Sequence, residues 1–123
     1  MGKFVIKETS NGNFVFDLVA GNGQVIGTSQ TYRALNSAKS GANSVKRTSY
    51  ARVEDLTSPD SKKLAHPKWE LYKDDKGEFR FRLKAMNGEI ILASEGYTTK
   101  ASAENGLESV KKNAPEAEIV VQE

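Results

Sequence analysis

The chain has 123 residues, with 18 basic and 16 acidic side chains, a formal charge of +2 and no cysteine. The missing thiols exclude disulfides, thiolate metal sites and thiol catalysis, and so small a charge neither requires nor excludes a polyanionic partner. No apolar run approaches the roughly 18 residues of a membrane span, and the first residues lack the features of a secretory signal. We therefore expect a cytoplasmic protein without a membrane segment.

The first predicted elements are three strands joined by tight turns. We expect strands over residues 3–8, 13–20 and 24–29. The second strand alternates in polarity, and because successive strand residues point to opposite sides, its apolar residues share one face: Phe14, Phe16, Leu18 and Ala20. Asn22-Gly23 is a typical hairpin dipeptide, so it predicts a tight turn between strands two and three.

A helix and a short strand follow. The pattern predicts a helix over residues 37–48, because small or apolar residues recur at helical spacing: Ala38, Gly41, Ala42 and Val45. We expect Ser37 to cap the helix N-terminus and Gly41 to let the helix approach the sheet closely. A last strand is predicted over residues 50–54.

The same elements return 65 residues later, where Gly77 matches Gly12 and the identities continue into the helix. Strands are predicted again at residues 69–73, 78–85, 89–94 and 118–122, with a helix over 102–113 capped by Ser102. The chain is thus a tandem duplication of a β-β-β-α-β unit. Its parts are a first repeat at 1–56, a Pro-containing linker at 57–67 and a second repeat at 68–123.

Each repeat is too small to bury a large core, since a unit of about 55 residues is marginal by itself. We therefore predict an α+β fold in which two tandem repeats share one core, with both helices on one face of the sheet. The other face is left to solvent or a partner. With the helix as a crossover, the fourth strand of each repeat can run parallel to the third.

The segment FRFRLKAMNGEIILASEGYTTKASAENGLESVKKNA, residues 79–114, resembles the YegP-like family of small bacterial and archaeal proteins without an assigned function. The motif combines a Phe-x-Phe strand, an Asn-Gly turn, a tyrosine and a helix containing Asn-Gly in fixed order. The resemblance implies that the two units form one continuous sheet and exchange their final strands. It also implies a monomer that resembles a covalent dimer, and it supplies no catalytic residues.

The uncovered face carries the first candidate site. Strand alternation places Arg80, Arg82 and Lys84 together on this face, beside Tyr72. A basic row with an aromatic neighbour could be a nucleic-acid platform, but a solvated strand face that guards against aggregation is the simpler explanation. The matching residues of the first repeat are Val15, Asp17 and Val19.

Apolar residues form the second candidate site. Alternation places six of them on the uncovered face: Val5, Val15, Val19, Val25, Ile90 and Leu92. Contiguous exposed apolar surface usually marks an interface, which predicts a protein partner or self-association. The alternative is that sheet twist and the exchanged strands bury several of these residues.

The remaining candidates have structural explanations. Tyr32 and Tyr97 are expected to pack between sheet and helix with their hydroxyls near the backbone, or else to stack on a ligand. Trp69 is predicted to lie in the core and His66 in an exposed linker, while residues 74–77 form a turn rather than a calcium loop. We predict no catalytic, cofactor or metal site, and expect a non-enzymatic binding module, with nucleic-acid binding as the alternative.

Overall fold

The computed structural model describes residues 2–122 of the chain, with eight strands and two α-helices in that range. The strands are β1 (Lys3–Glu8), β2 (Phe14–Val19), β3 (Val25–Thr28), β4 (Val53–Asp55), β5 (Lys68–Lys73), β6 (Phe79–Lys84), β7 (Ile90–Ala93) and β8 (Glu118–Val121). The helices are α1 (Leu35–Thr48) and α2 (Lys100–Asn113), and a short 3₁₀ turn, Ala114–Glu116, follows α2. The predicted elements are all present, with boundaries that differ by up to three residues.

All eight strands form one sheet in the order β4-β5-β6-β7-β3-β2-β1-β8. The final strand of each repeat pairs in parallel with the first strand of the other repeat, β4 with β5 and β8 with β1. The predicted single sheet with exchanged strands is therefore confirmed. The expectation that each fourth strand runs parallel to the third was wrong, because β3 and β7 meet antiparallel at the centre and the exchanged strand follows the other half.

Both helices cover one face, and the two repeats share the core beneath them. Helix α1 contacts β2 of its own repeat and β7 of the other, while α2 contacts β6 and β3. The largest fully buried side chains come from both repeats: Phe4, Phe16, Leu18, Trp69, Leu71, Phe81 and Leu83. Phe14 and Phe79 are partly buried against the same core. The predicted core between the helices and the Phe-rich face of the sheet is therefore confirmed.

The two helix glycines lie against tyrosine side chains. A Cβ atom at Gly41 would overlap the Tyr32 hydroxyl, and one at Gly106 would overlap that of Tyr97. A side chain at either position would require the tyrosine ring to move, so glycine permits the predicted close approach of helix and sheet.

The predicted helix caps were wrong. Both helices begin two residues earlier than the serine pattern suggests, so Ser37 and Ser102 lie inside the first turn. Thr99 caps α2 and accepts a hydrogen bond from the Ser102 amide, whereas α1 begins after Ala34 without a side-chain cap.

A β-bulge changes the face of one predicted surface residue. Leu92 pairs with Leu83, but Lys84 pairs with Ile90, so Ile91 is the extra residue of the bulge. Leu92 therefore faces the helices and is fully buried. Its predicted place on the uncovered face was wrong, because strict alternation does not hold across a bulge.

Candidate functional site

The helix-free face has two halves with different chemistry. Strands β8, β1, β2 and β3 carry a valine cluster, defined as Val5, Val15, Val19, Val25 and Val120. Strands β4, β5 and β6 carry an ion-pair network, defined as Glu54, Lys68, Glu70, Arg82 and Lys84. The two sets occupy matching strands of the duplicated unit. On this face the two repeats therefore differ, with valines in one half and an ion-pair network in the other.

Glu70 is the centre of the ion-pair network. Its carboxylate lies 2.7 Å from Arg82 Nε, 3.3 Å from Lys84 Nζ and 3.4 Å from Lys68 Nζ. The strand register brings these groups together, since Glu70 lies opposite Arg82 and Lys68 opposite Lys84. Burial by itself would raise the pKa of Glu70, but hydrogen bonds from Arg82 and Lys84 outweigh it and lower that pKa.

The linker contacts one end of this network. The Leu64 amide donates to Glu54 Oε1 at 2.8 Å, and Lys68 Nζ donates to the same oxygen at 2.7 Å. Lys68 is only 3% exposed and Glu54 only 6%. The Leu64 N–H, followed by Lys68, lowers the pKa of Glu54, and the hydrogen bond to Glu54 raises the pKa of Lys68. These charges are therefore satisfied within the chain.

The predicted basic row lies on the charged half, and its cations have carboxylate partners. Arg80 Nε lies 2.7 Å from Asp74 Oδ2, and Arg82 and Lys84 belong to the ion-pair network. The Arg82 guanidinium carbon also lies 4.3 Å from the centre of the Tyr72 ring. Strand alternation was sufficient to place the four predicted residues together. It could not find the carboxylates, which come from a turn and from neighbouring strands.

The valine cluster is partly exposed. Val25 is 46% exposed, and the other four valines are half-buried. Ile90 is 37% exposed on the same face, but it lies opposite Lys84 in the other half.

Asp17 interrupts the cluster, and its charge is held by Lys7 Nζ at 3.0 Å and by the Thr28 hydroxyl at 2.9 Å. Lys3 and Glu118 lie exposed on the same face, opposite each other on paired strands, so this half is nearly neutral and combines apolar with charged side chains.

The sequence prediction of this surface missed one residue. Val120 joins the cluster because β8 pairs with β1, which places it beside Val5. Alternation along residues 118–121 is readable, but only the strand exchange reveals which half of the sheet receives Val120.

Tyr32 and Tyr97 lie between sheet and helix. Tyr32 stacks on Phe16 with ring centroids 6.1 Å apart, and Tyr97 stacks on Phe81 at 6.2 Å. Burial raises the pKa of both tyrosines. Their predicted packing agrees with this arrangement, and a ligand-stacking role stays a prediction.

The other predicted positions are as follows. Trp69 is fully buried and donates its indole N–H to the Ser49 carbonyl at 3.0 Å, while His66 is exposed in the linker. Asp74 closes the predicted turn by accepting hydrogen bonds from two following amides.

Between residues 2 and 122, no three histidine, aspartate or glutamate side chains group closely enough to hold a metal ion. Over the same range, none of the helices has the length and apolarity to span a membrane.

Comparison with known families gives two matches to one domain model, at residues 9–55 and 74–120, described as a domain of unknown function (DUF1508). The two matches fall on the two repeats. Among curated proteins, a UPF0339 protein of Pseudomonas aeruginosa is 36% identical over 115 residues, which cover 94% of this chain and 92% of that protein. A UPF0339 protein of Agrobacterium fabrum is 60% identical over 55 residues, which cover 45% of this chain and 89% of that protein.

Solved structures show the same fold. The solution NMR structure of yegP from E. coli, a protein of unknown function, superimposes with a TM-score of 0.80 at 34% identity, covering 98% of this chain and 92% of that one. A UPF0339 protein from Shewanella oneidensis superimposes with a TM-score of 0.79 at 30% identity, covering 98% of this chain and 90% of that one.

Proposed function

This chain belongs to the family of proteins built from the domain of unknown function DUF1508, which includes the UPF0339 and YegP proteins, and we propose that it is a non-enzymatic, cytoplasmic binding module. Its contact surface is the valine cluster on the helix-free face. The occupant is a protein partner or a second copy of the chain. The observation that supports this proposal is that matching positions of the two repeats have valines in one half of the face and paired charges in the other.

The charged half of the face is satisfied internally, whereas the valine cluster is partly exposed. Val5 occupies the position of Glu70, and Val19 that of Lys84, in the matching strand pairs. Charged side chains at those positions are bound to one another, so desolvating them against a partner gains little. Apolar side chains such as Val25 gain free energy when a partner removes them from water. The valine cluster is therefore the half of the face that favours association.

The proposed absence of catalysis rests on the chemistry of the sequence. Nucleophilic catalysis by serine needs a neighbouring base, and the one histidine, His66, lies in the exposed linker. The chain has no cysteine to act as a nucleophile. A binding role needs no such convergence of reactive groups.

We expect a photo-crosslinking amino acid in place of Val25 to form protein adducts in cells. The matched control places the same amino acid at Asn43, which is exposed on α1 on the other side of the sheet. Adding Val19→Glu should reduce the adducts by about tenfold, because the interface would then bury a carboxylate together with Lys3, which lies opposite it on β1. Sedimentation velocity of the purified protein distinguishes self-association from another partner. Equal adducts at both positions, or adducts unaffected by Val19→Glu, would contradict the proposal.

Nucleic-acid binding through Arg80, Arg82 and Lys84 is the second candidate, supported by the stacking of Arg82 on Tyr72. The carboxylate partners of this basic row compete with phosphate, so we expect no steeply salt-dependent binding of single-stranded DNA. A titration at several salt concentrations measures this. Strong binding that falls with salt and disappears in Arg80→Glu/Arg82→Glu would favour the second candidate over the first.

A further inference from the structure

The outer edge of the sheet at β4 has peptide groups that point away from the rest of the protein. The Arg52 carbonyl accepts from the Trp69 amide at 2.9 Å, and the Leu56 amide donates to the Leu71 carbonyl at 2.8 Å. In a β-strand the N–H and C=O groups of one residue point to the same edge, and those of the next residue point to the opposite edge. The N–H and C=O groups of Val53, which lies between these two bonds, therefore point to the open edge.

A groove of about 360 Å³ lies between this edge and α2, lined by Val53, Asp55, Leu71, Glu104, Leu107 and Glu108. Its deepest side chains are apolar, since Leu71 is 1% exposed and Leu107 is 3% exposed. Val53 is 37% exposed and forms the strand side of the groove. A side chain of modest size can therefore contact apolar surface there.

The rim of this groove is acidic. Asp55, Glu104 and Glu108 line it, and Lys100 pairs with Asp55 at 2.6 Å. Within residues 2–122, neither Glu104 nor Glu108 forms an ion pair with a neighbouring side chain. Lys100 also attracts Glu104, but Glu104 and Glu108 lie at i and i+4 on one helix and repel each other. An added cation beside Glu108 relieves that repulsion.

The opposite edge of the sheet lacks these features. At the matching positions, 65 residues earlier, α1 has Lys39 where α2 has Glu104, Ala42 where it has Leu107, and Asn43 in place of Glu108. Charged side chains alone can protect an edge strand, and Lys39 supplies such a charge on α1; an apolar side chain such as Leu107 between two carboxylates is not needed for that purpose. The acidic rim and the leucine therefore distinguish the β4 edge from its duplicate.

We propose that the groove between β4 and α2 binds an extended, basic segment of a partner protein, which adds a strand to the β4 edge. Strand addition uses main-chain hydrogen bonds for affinity and alternate side chains for specificity. Alternate residues of the bound segment face α2. We expect the middle one to be apolar and to contact Leu71 and Leu107, and the ones on either side to be lysine or arginine beside Glu104 and Glu108. The site is separate from the valine cluster, which lies on the opposite face of the sheet.

The test uses a blocked peptide, Lys-Thr-Val-Thr-Lys, titrated into the whole protein and followed by amide chemical shifts. We expect shifts in residues 53–56 and 104–108, and no such shifts with Glu-Thr-Val-Thr-Glu. Glu108→Gln, which changes the net charge by one as the control below does, should weaken binding by about threefold, since one exposed ion pair is lost. The matched control, Asn43→Lys at the duplicate position on α1, should bind as the unmodified protein does.

Three results would overturn the proposal. One is that the basic and acidic peptides bind equally well. Another is that Asn43→Lys weakens peptide binding as much as the substitution on α2 does. The third is the absence of shifts at the β4 edge, with or without shifts at Val25. Because the crosslinking test of the valine cluster reports on the other face, either proposal can fail while the other stands.

Discussion

Replacing Trp69 with alanine is expected to lower the free energy of unfolding of the whole chain by about 3–5 kcal/mol. Trp69 is fully buried, and its ring lies edge-on to Phe81 with centroids 5.7 Å apart. Its indole N–H also binds the Ser49 carbonyl, at the end of α1 in the first repeat. The substitution therefore removes a packing contact within the second repeat and a hydrogen bond between the repeats.

Urea unfolding followed by circular dichroism measures the stability change, and hydrogen exchange shows where it acts. We expect amide protection to fall in β1, β2 and β3 as well as in the second repeat, because the core is shared. Met86→Ala is the matched control, since Met86 is 72% exposed. Normal protection of β1–β3 in the Trp69→Ala protein would contradict a shared core.

Lys68→Met is expected to lower the free energy of unfolding by about 3 kcal/mol at neutral pH, because a buried ion pair loses one partner. Glu54 would keep only the hydrogen bond from the Leu64 amide. Glu70 would keep its ion pairs with Arg82 and Lys84, which limits the loss of stability. Lys62→Met is a matched control, since Lys62 is exposed in the linker. An equal, small effect of both substitutions would contradict the inferred burial of the network.

The same network predicts a pH dependence. Glu54 and Glu70 have folded pKa values below their ordinary value of 4.5, so their contribution is present above pH 4.5 and is lost as the pH falls through the folded values. The pKa of Lys68 is raised above 10.5, so its contribution is present below pH 10.5 and is lost at higher pH. The difference in free energy of unfolding between the unmodified protein and Lys68→Met should therefore become smaller both at low pH and at high pH. Urea midpoints across this range measure it.

Much of this fold is readable from local patterns. Alternation in strands such as Phe79–Lys84, together with the Asn-Gly turns, predicts the hairpins and the buried face. Repetition of the pattern predicts that two small units pool their cores. Leu92 was misplaced because the bulge comes from pairing between strands, which single-strand alternation does not contain. The start of α2 was misplaced because Thr99 rather than Ser102 is its cap, and the start of α1 because Ala34, at the matching position, has no capping side chain.

Less of the candidate site could be predicted from the sequence. The basic row was found, because Arg80, Arg82 and Lys84 lie on one strand. Its neutralisation was missed, because alternation along one strand does not show contacts with Asp74 in the preceding turn or with Glu70 on β5. The acidic groove was missed for the same reason, since it is formed between α2 and a strand of the other repeat.

Cleavage of the linker tests most directly the claim that the two repeats share one exchanged sheet. Residues 59–63 are exposed, so a protease site there can be cut without disturbing the strands. We predict that the two fragments stay together on a sizing column under native conditions and keep the circular dichroism of the intact chain. Separation into two folded halves after cleavage would contradict the shared core and the two-sided face built on it.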